Sequence, residues 1–247
     1  MVKSNVIVLA VLATSLVVGS VNAALYEEDF TTDAGKHLTH PDLGYGSFAG
    51  ASNIQVTDVT SFGDAAIDGN TSSTGWSRLF RPFDGGSILS GPVVMDIDMD
   101  PGNDEDAEFG YFGFDGSNVT SDRLVSMRWL APNPGSGNPD EPGGMCISRA
   151  VEGNVCSGIN GRVHVRFAID LDTNAMTALV TGLDGQGANS VSGTLNNQGL
   201  GLTAVYVTAA QNDGFAVDNI LIDIPEPASV GLLSLGALMM LKRRRGA

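Results

Sequence analysis

Alternation at every second residue is the feature that most limits what this chain can become. In "RVHVRFAID", residues 162 to 170, Val163, Val165, Phe167 and Ile169 fall on one side of an extended chain, and His164, Arg166, Ala168 and Asp170 fall on the other. Strand side chains point alternately to two faces, so one face of this segment suits a core and the other suits water. "LDTN" then supplies a turn and "AMTALVT" runs back, which predicts a β-hairpin. Helical periodicity is nearly absent.

Nine further segments read as strands: Tyr26–Phe30, Ile54–Val59, Trp76–Phe83, Val93–Met99, Glu108–Phe114, Arg123–Leu130, Met145–Val151, Ala204–Thr208 and Phe215–Ile222. With the hairpin arms this makes eleven strands joined by Gly-, Asn-, Asp- and Pro-rich connections. Such a chain closes into a sandwich or a barrel. "APNPGSGNPDEPGG", residues 131 to 144, reads as a long surface loop. "GLDGQGANS", residues 182 to 190, clusters glycines without the strand–helix context of a nucleotide-binding fingerprint.

The two ends follow other rules. Lys3, the apolar run Val6 to Val18 and the small residues Val21-Asn22-Ala23 read as an export signal, residues 1–23, cleaved between Ala23 and Ala24. At the other end, Pro225-Glu226-Pro227 precedes an uncharged run from Ala228 to Leu241, closed by Lys242, Arg243, Arg244 and Arg245. As a helix that run measures roughly 21 Å against a hydrocarbon core of about 30 Å, so it spans poorly unless the bilayer thins or the flanking side chains snorkel, and by itself it makes only a weak anchor. The cations would stay inside and the body outside. The order of Pro-Glu-Pro, apolar segment and terminal arginines resembles the PEP-CTERM sorting signal of Gram-negative bacteria. That resemblance covers residues 225–247 and implies cleavage by exosortase, a membrane enzyme, and delivery of the body to the cell surface or the extracellular matrix, often among extracellular polysaccharide.

Residues 24–224 remain as one expected domain. They hold 27 of the 28 acidic and eight of the 13 basic side chains, a formal net charge of −19. A nucleic-acid partner is excluded, because binding needs cations facing phosphates. Cys146 and Cys156 suit a disulfide in an oxidising compartment. The hairpin bearing Asp170 and the last strand, "GFAVDNILID", resemble a concanavalin A-like or laminin-G-like jelly roll. The resemblance implies an all-β, two-sheet antiparallel β-sandwich, a fold that serves lectins, adhesion modules, carbohydrate-binding modules and glycoside hydrolases.

The acidic stretch "PVVMDIDMDPGNDEDAEFG", residues 92 to 110, offers three readings. Asp96, Asp98 and Asp100 alternate with Val93, Met95, Ile97 and Met99, as in a catalytic row of a laminarinase-like hydrolase. A retaining pair needs carboxyl groups about 5–5.5 Å apart. Asp96 and Asp100 are separated by roughly 13 Å along a strand. Their short side chains cannot close that gap, so no catalytic residue is assigned. Calcium is the second reading, with Asp98, Asp100 and Asp104 converging on an ion, although Pro101 and Ala107 break the EF-hand pattern. Asp170, Asp172 and Asn174 likewise lack an acidic closure. The third reading is a solvated acidic face that discourages edge pairing. His37, His40 and His164 read as surface histidines. The expected function is a non-enzymatic exported surface or matrix protein without a required cofactor, binding extracellular polysaccharide or protein. The alternative is a glycoside hydrolase of extracellular polysaccharide.

Overall fold

The computed structural model describes residues 26–36, 40–50, 54–59, 62–68, 76–83, 86–102, 108–112, 123–131, 143–196, 201–210 and 215–225. Ala23, Ala24, Glu226, Pro227 and Arg243 to Arg245 lie outside them, as do Asp104 and His37. Among the described residues no helix is long and apolar enough to cross a membrane.

Fifteen strands are described. The first five are β1 (Tyr26–Glu28), β2 (Gly46–Gly50), β3 (Gln55–Val59), β4 (Asp64–Asp68) and β5 (Trp76–Pro82). The next five are β6 (Pro92–Asp100), β7 (Glu108–Phe112), β8 (Arg123–Leu130), β9 (Gly144–Ala150) and β10 (Gly153–Cys156). The last are β11 (Val163–Asp170), β12 (Ala175–Gly182), β13 (Ala188–Thr194), β14 (Ala204–Ala210) and β15 (Ala216–Asp223). Every expected strand is present within a few residues of its expected bounds. Four were not expected: β2, β4, β10 and β13. Their sequences, "GSFAG", "DAAID", "GNVC" and "ANSVSGT", are short or rich in small and polar residues, so their alternation is weak. The glycine cluster at 182–190 is the β12–β13 connection, closed by the Gly182 amide donating to the Gly187 carbonyl at 2.8 Å.

The strands form two antiparallel sheets. The larger sheet runs β13-β12-β11-β6-β15-β4-β3, with β1 also paired to β15. The smaller sheet runs β10-β9-β8-β7-β14-β5-β2. The expected hairpin is β11–β12, registered from Val163 opposite Gly182 to Asp170 opposite Ala175. Its turn is an Asx-turn: an Asp170 carboxylate oxygen accepts the amides of Asp172 at 2.9 Å and Thr173 at 3.2 Å, and Asn174 takes φ 60°. Asp170 therefore serves the chain reversal.

The core lies between the sheets. Val93, Met95, Ile97 and Met99 of β6 are fully buried, as are Val163, Val165 and Phe167 of β11. Phe109 and Tyr111 of β7, Val125 of β8 and Val207 of β14 meet them from the smaller sheet. The rings of Tyr111 and Phe167 stack across the gap, 6.1 Å apart and 29° from parallel. Each such side chain removed from water contributes about 1.5–3 kcal/mol, opposed by the entropy of ordering the chain.

β6 pairs with β11 on one side and β15 on the other, so it is an interior strand. The acidic row therefore does not guard a sheet edge, which corrects that expectation.

Candidate functional site

Each sheet has an outward face bearing charge. On the larger sheet, the pairing of β6 with β11 places His164 opposite Asp98 and Arg166 opposite Asp96. His164 Nδ1 lies 2.8 Å from Asp98 Oδ1 and its Nε2 lies 3.5 Å from Asp96 Oδ1. Arg166 Nη1 donates to Asp96 Oδ2 at 3.1 Å. From β15, Asn219 Nδ2 donates to Asp98 Oδ2 at 2.9 Å. Asp100 Oδ1 accepts the Gly102 amide at 3.3 Å.

These contacts set the ionisation of the row. The hydrogen bond to Asp98 holds His164 above the ordinary histidine value, against an opposing effect of partial burial, with Asp96 adding to the rise. Burial works to raise Asp98, but the hydrogen bonds from His164 and Asn219 outweigh it and leave the carboxyl below its usual range. His164 is thus a bridge between two carboxylates rather than a free surface histidine. The row forms a cross-strand charge ladder, the sheet counterpart of helical ion pairing. Asp98 spends both oxygens on protein partners, which fits neither an open ion site nor a catalytic pair. Among the described residues no group of three or more His, Cys, Asp or Glu is arranged to hold a metal ion. The Asp170, Asp172 and Asn174 set belongs to the hairpin turn, where Asp172 Oδ1 also accepts the Gly91 amide at 3.2 Å.

The outward face of the smaller sheet differs. Strand register aligns Cys146, Arg128, Glu108 and Thr208 in one row, and Ser148, Ser126, Gly110 and Tyr206 in the next. These positions alternate with core residues Ile147, Met127, Phe109 and Val207, so they face away from the core. Even so, Glu108, Ser126, Ser148, Thr208 and Tyr206 are all buried. Glu108 Oε2 accepts the Tyr206 hydroxyl at 2.7 Å. Glu108 Oε1 lies 3.5 Å from Arg149 Nη2 and 3.8 Å from Arg128 Nη1. A nearly buried carboxylate is therefore shared by two guanidiniums at long range. At Gly110 a Cβ would collide with the Val125 carbonyl and with Ser126, so only glycine lets β7 and β8 approach at the centre of this face.

Arg149 reaches the cluster through a backbone distortion. Ile147 and Ala150 both face the core, and between them β9 advances three residues while β10 advances two, from Val155 to Gly153. That is a β-bulge. Within it Arg149 takes φ 68°, the left-handed region, at a cost of about 1–3 kcal/mol for a residue with a side chain. The bulge turns its guanidinium from the core side to the outward side. Burial works to lower the Arg149 pKa, but Tyr206 and Glu108 outweigh it and hold the cation firmly.

Beside the cluster, Cys146 and Cys156 form the expected disulfide, joining directly paired residues with Cα atoms 4.0 Å apart. It ties down β10, whose Asn154 Oδ1 accepts Ser148 Oγ at 3.0 Å and lies 3.5 Å from Arg128 Nη2.

The remaining candidates stand apart. Trp129 donates its indole N–H to Asn160 at 3.0 Å, and by alternation it faces away from Arg128. His40 is an exposed turn residue whose Nδ1 accepts the Asp42 amide at 3.3 Å. A cleft of about 450 Å³ at the β1–β15 junction is lined by Glu27, Glu28, Asp29, Asn219, Ile220 and Leu221. Burial, above all, raises the Glu28 carboxyl there. Sequence reasoning placed Glu108, Arg128, Arg149 and Tyr206 on strands without joining them. The available signal was an ionisable residue on the polar side of β7, β8 and β14, but their alignment depends on the register of the strand pairings.

No family model matches the sequence, and no curated protein matches it. Among solved structures, lectin I from Ulex europaeus, in complex with the methyl glycoside of α-L-fucose, is similar at 10% identity over 80% of this chain and 95% of that chain, with a TM-score of 0.51. Lectin II from Ulex europaeus is 9% identical over 72% of this chain and 91% of that one, with a TM-score of 0.49. The VIP36 exoplasmic/lumenal domain in its Ca2+/Man-bound form is 8% identical over 74% and 83%, with a TM-score of 0.46. The first likeness establishes the fold as the expected concanavalin A-like jelly roll.

Proposed function

We propose that this chain is an exported, non-enzymatic β-sandwich that binds glycan at the cell surface or in the extracellular matrix. The observation that carries the reading is the Glu108, Arg128, Arg149 and Tyr206 constellation on the outward face of the smaller sheet. A polar set held there by a strained bulge adds nothing to the apolar core. Fixed hydrogen-bonding groups on rigid strands suit recognition of a polyhydroxyl ligand. Glu108 is engaged by two arginines and a tyrosine, a set of donors suited to binding.

The fold supports the same reading by analogy, since the similar Ulex europaeus lectin is in complex with a fucoside. Export through residues 1–23, a single body over 24–224 and exosortase processing within 225–247 complete the proposal. They rest on the sequence of the two ends.

The test is binding of the full chain to a panel of polysaccharides that includes the host's own, with and without EDTA. Binding that persists in EDTA is expected, because the site uses side chains rather than an ion. Failure to bind any of the panel would overturn the glycan reading. Intact mass of exported material should show loss of residues 1–23 and a C-terminus near Pro225. A full-length C-terminus would overturn the processing.

A further inference from the structure

We infer that Arg128 and Arg149 form an anion-recognition point and that the glycan taken at this site is acidic, presenting carboxylate or sulfate oxygens. The inference rests on the glycan-binding reading and adds the ligand's chemical class.

The argument is a mismatch between donors and acceptors. A guanidinium carries only donors, arranged as a planar fork that matches two oxygens of one anion. The two arginines share one carboxylate oxygen, Glu108 Oε1, at 3.5 and 3.8 Å; Tyr206, whose hydroxyl the other Glu108 oxygen accepts at 2.7 Å, is a further hydrogen-bond partner of Arg149. Arg128 adds one long contact to Asn154. Neither guanidinium has the paired short contacts of a fork-to-carboxylate bridge. The Nε atoms of both arginines are buried without a partner, and so are the hydroxyls of Ser126 and Thr208. Glu152, the next carboxylate along the chain, is turned away and holds the Thr194 amide and hydroxyl at 2.9 and 2.7 Å.

Buried donors without acceptors are costly, and the two unpartnered guanidinium Nε groups mark a place short of well-placed acceptor oxygens. Among the described residues two cations meet one carboxylate at this spot, on a body whose formal net charge is −19. The guanidiniums are reachable: the Arg128 and Arg149 side chains are 22% and 32% exposed while Glu108 is 4% exposed. An anionic group bridging their exposed Nη ends would supply acceptor oxygens and a counter-charge there. A neutral sugar would supply hydroxyl acceptors but no charge.

The experiment is calorimetric titration of the full chain with polygalacturonate, its carboxyl-reduced derivative, dextran sulfate and dextran. Polygalacturonate or dextran sulfate should bind about 10- to 100-fold more tightly than its neutral counterpart, the effect of one charge-assisted contact. The arm that shows the difference identifies carboxylate or sulfate as the source. The four cations at residues 242–245 attract polyanions non-specifically, and the two lysine variants below, which carry the same tip, separate that contribution. Equal binding of charged and neutral partners would overturn the inference and leave the glycan reading standing. Binding to none of the four overturns the inference, and the polysaccharide panel then decides the reading separately. Arg128→Lys and Arg149→Lys keep the charge and lose the fork, so each should weaken polyanion binding about tenfold. Unchanged affinity in folded variants would also overturn it. Where a variant does not fold, the comparison of charged and reduced polymers on the unaltered chain decides.

Discussion

The two outward faces of the sandwich handle charge in opposite ways. On the larger sheet, Asp96 and Asp98 each have short contacts to a complementary side chain on the adjacent strand, and His164 and Arg166 stay 41% and 58% exposed. On the smaller sheet, one nearly buried carboxylate serves two arginines at long range. Exposed, matched charges contribute little, because water screens them and already solvates them well. Buried, mismatched charges are held in place by everything around them, and removing one partner strands the rest. Most of the acidic side chains that dominate the sequence make the surface soluble, whereas the few that matter most are the ones taken out of water.

The largest effect should therefore come from Glu108. Glu108→Gln leaves two partly buried guanidiniums without a counter-charge and should destabilise the chain by about 3–5 kcal/mol. Urea unfolding of the full chain measures it, with Asp98→Asn as the matched control on the other face. If the control loses as much stability as Glu108→Gln, the contrast between the faces is wrong.

Replacing Cys146 and Cys156 together by serine tests whether the second face depends on its neighbouring strand. A bridge closing so short a loop stabilises by about 2–3 kcal/mol. The loss should be accompanied by early hydrogen exchange across β10, because Asn154 meets Ser148 and Arg128 from that strand. Protection of β10 that survives reduction would show that the sheet edge holds itself.

Tyr111→Phe separates burial from pairing. The Tyr111 hydroxyl is fully buried in the core without a hydrogen-bond partner, and burial, with the charge of Asp96 adding, pushes its pKa well above the ordinary tyrosine value. Deleting an unsatisfied hydroxyl while keeping the ring should stabilise by about 1 kcal/mol. A raised urea midpoint is the expected reading, and a fall would mean that the hydroxyl is satisfied within the core.

How far each face could be read from sequence follows from the same contrast. The β6 pattern, with Val93, Met95, Ile97 and Met99 inward and aspartates outward, is local, and the structure reproduces it residue by residue. The β11–β12 hairpin is local too, set by Asp170 and Asn174. What escaped was everything that needs a partner strand. The pairing of His164 with Asp98 links positions 66 residues apart, and that of Tyr206 with Glu108 spans 98. The Arg149 bulge escaped for another reason: alternation assigns that residue to the core side, and only the extra residue in β9 reverses it.

The smallest effect is a dependence on pH confined to the ladder. His164 titrates above the ordinary histidine value in the folded chain, chiefly because of its hydrogen bond to Asp98. Its contribution is complete below about pH 6.5 and is lost as pH rises through the folded value. For Asp98 burial pulls upward, but the hydrogen bonds from His164 and Asn219 leave it low. Its contribution is complete above about pH 4 and is lost as pH falls through the folded value. The pair therefore stabilises most between about pH 4 and pH 6.5. Because the His164 side chain is 41% exposed, the total should stay under about 1 kcal/mol. Urea midpoints of the full chain and of His164→Gln, compared at about pH 5.5 and about pH 8.5, isolate it. The unaltered chain should lose slightly more stability than the variant over that interval. An equal loss in both would mean that the ladder is merely adjacent charge, and a difference of several kcal/mol would place it with the buried cluster on the other face.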